Sequence, residues 1–295
     1  MPRGCGGAKR MPGLKILLTG RTGQIGWELQ RSLAPLGELI APERAALDLA
    51  RPNGIGPVVR AIRPSLIVNA AGYTAVDRAE AESETCFAVN AASVGELARQ
   101  AAKLGAMLIH YSTDYVFDGT KRSPYVETDA VAPTNAYGRS KLQGESEIIG
   151  SGCRYLILRT SWVYAERGSN FVRTMLRLAV ERPQLRVVND QVGAPTWARD
   201  VATATTAAIE RAEAVEGLYH VASSGATSWY EFARSILALA GLNTPVSPIP
   251  TSEYPTAAAR PAYSVLDSGR FERATGFRIG PWEERLRACI AALPG

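Results

Sequence analysis

The 295-residue chain predicts an α/β protein built on a doubly wound parallel sheet with a smaller, partly interleaved C-terminal lobe. Three observations carry that expectation. Short apolar runs alternate with amphipathic helical stretches over the first 165 residues, the pattern of parallel strands joined by helical crossovers. A glycine-rich turn, Gly20-Arg21-Thr22-Gly23-Gln24-Ile25-Gly26, separates the first strand from the first helix, as in Rossmann-type folds. With 46% apolar content, a chain this long can bury one large core and an appended lobe.

Taken in order, the patterns predict strands over 14–19, 38–41, 66–69, 107–112 and 155–160, and helices over 24–34, 55–62, 86–104 and 137–149. The third helix is rich in alanine and leucine, both strong helix formers. From about residue 170 the pattern loosens into short elements near 185–188 and 218–221, with proline-rich connections over 244–261. The expected organisation is a disordered extension over 1–12, a dinucleotide-binding domain over 13–165, and a substrate lobe over 166–295 that shares the last strands of the main sheet. Met11 is an alternative start, and the first ten residues lack the apolar stretch of a secretory signal.

Strand, glycine turn and helix N-terminus together form an anion site. The glycines let the backbone approach a pyrophosphate, and the free amides and helix dipole favour its charge. Gly20, Gly23 and Gly26 give the spacing G-x-x-G-x-x-G, with Glu43 twenty residues after Gly23 at the end of the second strand. Glu43 suits a ribose 2′-hydroxyl and opposes a 2′-phosphate, whereas Arg44 and Arg21 suit the phosphate. The balance favours NADPH, with NADH tolerated. In such sheets ligands lie outside the carboxyl ends of the strands, so Gly20, Ala70-Ala71-Gly72 and Ser112-Thr113-Asp114 converge on one cleft.

Pro133-Thr134-Asn135 signals a helix start, which places Tyr137 and Lys141 one turn apart on one helical face. A neighbouring ammonium favours the phenolate and tunes tyrosine toward proton transfer near neutral pH. The alternative for this spacing is a packed ring beside a solvated ammonium. His110 alternates with Ser112 and turns away from Tyr111 into the sheet packing, so no chemistry is assigned to it.

Composition excludes several classes. The 33 basic and 28 acidic residues are interspersed, giving a net charge of +5 without a basic run, so the excess suits an anionic small substrate and not nucleic acid. No stretch reads as transmembrane. Four scattered cysteines without a C-x-x-C pair, and only two histidines, argue against a metal site or disulfide framework and fit a reducing cytoplasm.

Longer motifs narrow the reading: GRTGQIGWELQRSLAPLG (20–37), VNAAGYTAVDRAE (68–80), HYSTDYVFDG (110–119), YGRSKLQGE (137–145), LRTSWVYA (158–165), NDQVGAPT (189–196) and GLYHVAS (217–223). With these the chain resembles the extended short-chain dehydrogenase/reductases, and within them the branch acting on dTDP-linked 4-keto sugars, from residue 16 to beyond 282. The resemblance implies reduction of the 4-keto group of dTDP-4-dehydro-L-rhamnose by NAD(P)H. It makes Tyr137 the general acid and has Lys141 lower its pKa and hold the nicotinamide ribose. Thr113 then hydrogen-bonds the same carbonyl oxygen, and Asp114 and Trp162 contact substrate. Implied cofactor contacts are Gly23, Gln24, Ile25, Asp48, Leu49, Gly72, Tyr73, Thr74 and Tyr111, beside the turn glycines, Ala71, Glu43 and Arg44. Each has a plainer reading: Trp162 as core filler, Tyr111 as a strand residue with a satisfied hydroxyl, Thr113-Asp114 as a cap or turn.

Tyr263 stands where the family commonly has asparagine, and Arg260 is a candidate for the substrate pyrophosphate. Some relatives carry magnesium at a dimer interface; no residue cluster assigns one here, and the expected state is monomer or homodimer. The same fold also serves ketoreductases of other dTDP-deoxysugars, and regulatory subunits that bind cofactor without turnover. The intact trio of Thr113, Tyr137 and Lys141 speaks for the enzyme.

Overall fold

The computed structural model describes residues 11–212 and 214–293. The expected N-terminal extension therefore lies outside the described residues, apart from Met11 and Pro12; the Met11 amide donates to the Leu36 carbonyl at 2.9 Å.

Six strands form the central sheet: β1 (Lys15–Thr19), β2 (Glu38–Ile40), β3 (Leu66–Asn69), β4 (Met107–Thr113), β5 (Arg154–Thr160) and β6 (Gly217–His220). Their order is β6-β5-β4-β3-β1-β2, and every pairing is parallel. β3 and β4 are buried along their whole length, as strands covered by helices on both faces are, and their first three residues each are apolar. One face carries α1 (Gln24–Leu33), α6 (Ala198–Ile209) and the short helix Gly269–Thr275, through Leu29, Leu33, Val201, Ala208 and Phe271. The other carries α2 (Ile55–Ile62), α3 (Ser93–Leu104) and α4 (Ala136–Gly150), through Ile55, Val59, Val94, Leu97 and Ile148. The chain reverses its winding between β1 and β3, and such a switch point opens a crevice at the carboxyl ends of the strands.

A second core gathers α5 (Phe171–Glu181), α7 (Trp229–Leu239) and α8 (Trp282–Ala291) around Met175, Phe232, Ile236 and Leu286. Its parallel pair joins Leu185–Val188 to Val246–Ile249. From the C-terminal half, α6, β6 and the helix Gly269–Thr275 return to the main sheet and its core.

The predicted continuous helix over 86–104 is replaced by a helix Ser83–Phe87, a π turn Ala88–Ala92 and then α3. The wider turn has a tertiary cause. Asn90 sits in it and clamps the loop after β3, accepting from the Tyr73 amide at 2.9 Å and donating to the Tyr73 carbonyl at 3.0 Å and the Ser140 hydroxyl at 3.0 Å.

Candidate active site

Gly20 ends β1 at φ +71°, and a Cβ there would meet the Ala70 carbonyl carbon and the Ala71 nitrogen, each at 2.5 Å. Only glycine fits both the conformation and the approach. At Gly26 a Cβ would run into the Gly20 carbonyl, so this glycine lets α1 pack against the turn. Gly23 caps α1 with no side-chain cap and no acidic residue in the first turn, which leaves the terminal amides available to an anion. A cleft of about 670 Å³ opens in front of them. It is lined by Gly20, Gly23, Glu43, Arg44, Asp48, Leu49, Ala71, Gly72, Tyr73 and Thr74, ten of the expected cofactor residues, together with Arg21. A glycine cradle and uncapped helix at a switch point fit a dinucleotide.

The charges at the cleft rim are paired with one another. Arg21 Nη2 meets Glu43 Oε1 at 2.6 Å, and Arg44 Nε meets Asp48 Oδ1 at 3.2 Å. Glu43 is thus paired from within the turn that it faces, and Arg44, 81% exposed, holds Asp48 through Nε alone. The Ala50 amide, with Arg44, holds the Asp48 carboxyl below its usual range.

Other expected cofactor residues sit differently. Gln24 turns toward the second core, where its Oε1 accepts from Asn170 Nδ2 at 3.0 Å, and Ile25 packs on the main core. The Tyr111 side chain lies on the opposite face of the sheet, in the core with α6, and its hydroxyl pairs with Thr205 Oγ1 at 2.7 Å, so any contact with the cofactor would fall to its backbone. Strand alternation places it there, and only its carbonyl faces the catalytic side.

At the carboxyl end of β4, Thr113 and Asp114 turn the chain, with Thr113 Oγ1 accepting from the Tyr115 amide at 3.1 Å and donating to Asp114 Oδ1 at 3.0 Å. The cap reading of Thr113 is therefore real, and it fixes the hydroxyl at the strand end. Asp114 is buried with Oδ2 unpartnered. Burial raises its carboxyl to about 6, against the pull of hydrogen bonds from Ser264 and Thr113.

Asn135 caps α4 by accepting from the Gly138 amide at 2.7 Å, which fixes where Tyr137 leaves the first turn. The Tyr137 ring meets Tyr115 edge-on at 5.7 Å. Burial raises its phenol, opposed by Thr113 and reinforced by Asp114.

Lys141 differs from expectation. Its ammonium, buried, donates to the Tyr111 carbonyl at 2.5 Å and lies 3.0 Å from His110 Nε2, two partners that the sequence did not suggest. Burial lowers Lys141 to about 8, resisted by Glu145 and Cys86. His110, set aside in the sequence, thus touches the lysine of the trio. The signal was its alternation with Ser112, which gave the face without revealing that α4 covers it.

Trp162 takes a left-handed φ of +46° and stacks on Trp229 of α7 at 3.4 Å and 3°. Gly193 leaves room for its ring. Arg260 is committed to Asp77, Nη1 to Oδ1 at 3.0 Å and Nη2 to Oδ2 at 2.7 Å. Among the described residues no group of three or more His, Cys, Asp or Glu could hold a metal ion, and Cys86, Cys153 and Cys289 are unpaired and buried. No described helix is long and apolar enough to cross a membrane.

Residues 14–294 match the family model described as the RmlD substrate binding domain. A dTDP-4-dehydrorhamnose reductase of Burkholderia thailandensis is 47% identical, covering 95% of this chain and 99% of the relative. One of Escherichia coli is 48% identical over 95% and 98%. Among solved structures, the Clostridium acetobutylicum dTDP-4-dehydrorhamnose reductase superposes with a TM-score of 0.91 at 38% identity, over 94% of this chain and 99% of that one. The Bacillus anthracis enzyme, solved in complex with NADP, gives 0.90 at 37% over the same shares. With its glycine-built cleft, its threonine–tyrosine–lysine trio and these relatives, the chain belongs to the dTDP-4-dehydrorhamnose reductase family.

Proposed function

We propose that the protein reduces the 4-keto group of dTDP-4-dehydro-L-rhamnose with NADPH, NADH also being accepted, to give dTDP-L-rhamnose. The observation that carries this reading is Thr113 and Tyr137 brought within hydrogen-bonding reach at the carboxyl end of β4, with Lys141 one turn further along α4, near a glycine-built cleft that fits a dinucleotide. The close relative solved with NADP supports the cofactor, as do the exposure of Arg44 and the pairing of Glu43 with Arg21.

The bound reduced nicotinamide supplies the hydride that adds to C4 of the sugar. The chain's own residues handle the oxygen. Tyr137 enters the cycle protonated, because burial keeps its phenol neutral, and it transfers that proton to O4 as charge develops there. The Thr113 hydroxyl, held at the strand end, turns from Asp114 to donate to the same oxygen. Lys141 places a positive charge beside the phenolate left behind, and Asp114 and Trp162 face the sugar. Residues 13–165 mainly serve the cofactor and 166–295 mainly the sugar nucleotide.

The test supplies purified protein with dTDP-4-dehydro-L-rhamnose and follows loss of reduced-nicotinamide absorbance with NADPH and with NADH. Turnover, with NMR of the product giving the rhamno configuration at C4, is the expected result. Cofactor binding without oxidation would favour a regulatory subunit instead, and a different C4 configuration would assign another deoxysugar.

A further inference from the structure

Lys141 is joined to the cofactor cleft by a line of buried polar side chains that the mechanism above does not use. Thr19, Asn69 and His110 are register partners on adjacent strands β1, β3 and β4, so their side chains lie side by side on one face. Thr19 Oγ1 donates to Asn69 Oδ1 at 2.6 Å, Asn69 Nδ2 lies 3.0 Å from His110 Nδ1, and His110 Nε2 lies 3.0 Å from Lys141 Nζ. All four residues are buried, and Thr19 also lines the cleft. Three adjacent buried polar side chains across neighbouring strands are costly unless each is satisfied, and here each satisfies the next.

Proton counting gives the line its meaning. A neutral imidazole has one N–H and one lone pair, and His110 is neutral because burial and then the Lys141 charge hold its pKa well below the usual value. With the Asn69 amide donating to Nδ1, Nε2 carries the hydrogen and can only face a lysine free amine. With the amide turned over, Nδ1–H donates to Asn69 Oδ1 and the Nε2 lone pair accepts from a lysine ammonium. The Thr19 hydroxyl rotates to donate in the first arrangement and to accept in the second. The two states differ in composition by a single proton, present on Lys141 in one and released to solvent in the other, and the imidazole is neutral in both.

We infer that Thr19, Asn69 and His110 are positioning residues that set the charge of Lys141, the His110 tautomer and the Asn69 amide switching together with the gain or loss of the lysine proton. The other titratable groups facing Lys141 are Glu145 from its own helix and Cys86 from the helix Ser83–Phe87. Glu145 is held by Arg159 at 2.9 and 2.6 Å, so both of its oxygens keep the same partner in either state. The group that changes its hydrogen-bonding sense with the lysine is therefore His110.

This inference deepens the reductase reading and rests on it, and its test has one arm that does not depend on activity. The full-length protein is labelled with ¹⁵N-histidine, and imidazole nitrogens are followed by NMR across the titration of Lys141. The chain has only two histidines, and His110→Gln removes one set of signals and so assigns the other. The expected result is a neutral His110 throughout that exchanges one tautomer for the other with a midpoint near 8, where Lys141 titrates, and that loses the exchange in Lys141→Met. A single tautomer across the range overturns the inference.

In the kinetic arm, His110→Phe removes the acceptor and lowers the alkaline limb of kcat by about one pH unit, as loss of one hydrogen bond to a charge predicts. Asn69→Asp, which locks the accepting tautomer and adds negative charge, moves the limb upward. His110→Gln, whose carbonyl accepts, restores the limb and stands in for the Phe variant should that one fail to fold. Limbs unmoved in all folded variants overturn the inference. Absence of any turnover defeats the reductase reading instead, and the NMR arm then decides the relay by itself.

Discussion

The two ends of the cleft are built from different materials. The cofactor end, at β1 and the turn before α1, is made of backbone: glycine approaches, uncapped amides and a rim of exposed charges that pair with one another. The catalytic end, at β4 and α4, is made of buried side chains whose protons are shifted or shared, namely Thr113, Asp114, Tyr137, Lys141 and His110. Backbone amides do not titrate, and exposed ion pairs contribute little. The first region therefore binds with an affinity that pH barely touches, and the second confines activity to a window of protonation states.

The sharpest way to break that contrast is Tyr137→Phe, which keeps the ring and removes the transferable proton. Turnover falls by at least about 10²-fold while cofactor affinity is kept, in line with typical general-acid contributions. Stopped turnover together with lost cofactor binding would show that the two ends are not separable.

Asp114→Asn comes next. The folded-state pKa of Asp114, about 6, lies above the ordinary carboxylate value, so the folded protein binds its proton more tightly than the unfolded chain does. Stability conferred by this proton is present in acid and is lost as pH rises from about 4 to about 6, a difference on the order of 3 kcal/mol. The Asn variant removes that slope from a plot of Tm against pH. A slope that survives the substitution would assign the titration to another group.

Gly26→Ala attacks the other end. The added methyl has to displace the Gly20 carbonyl, which lowers stability by about 1–3 kcal/mol and weakens cofactor binding. Its pH–rate profile keeps its shape, because no titrating group moves; a changed profile would join the two ends after all. The smallest effect is expected from Arg44→Ala, at an exposed side chain. The KM for NADPH rises several-fold, equivalent to about 1 kcal/mol or less, and that for NADH stays put. Equal changes in both would remove Arg44 from the 2′-phosphate role.

The same contrast explains what the sequence made legible. Backbone-built features write themselves locally: the glycine spacing, Ile55–Ile62 and Leu185–Val188 were all readable from neighbouring residues. The side-chain end was readable only where a family motif names its residues. The π turn at Ala88–Ala92 depends on Asn90 reaching a different loop, and no propensity over 86–104 encodes that reach. The Lys141–His110 contact needs a strand and a helix separated by 31 positions, and alternation along β4 supplied a direction without a partner. Tyr111 entered the cofactor set by its motif, while the same alternation buries its side chain beside Thr205. Arg21 and Glu43 appeared as rival signals because their mutual pairing is a tertiary fact.

Trp162 carries a further lesson. Its left-handed backbone is held in place by a stack on Trp229, a residue of the second core. The indole pair is a fastener between two bodies, and the wall it forms exists only while they are docked. Partial opening that separates the bodies would erase the sugar pocket proposed at Trp162 while both hydrophobic interiors were still folded. Heat or denaturant should therefore disarm this protein before it melts it.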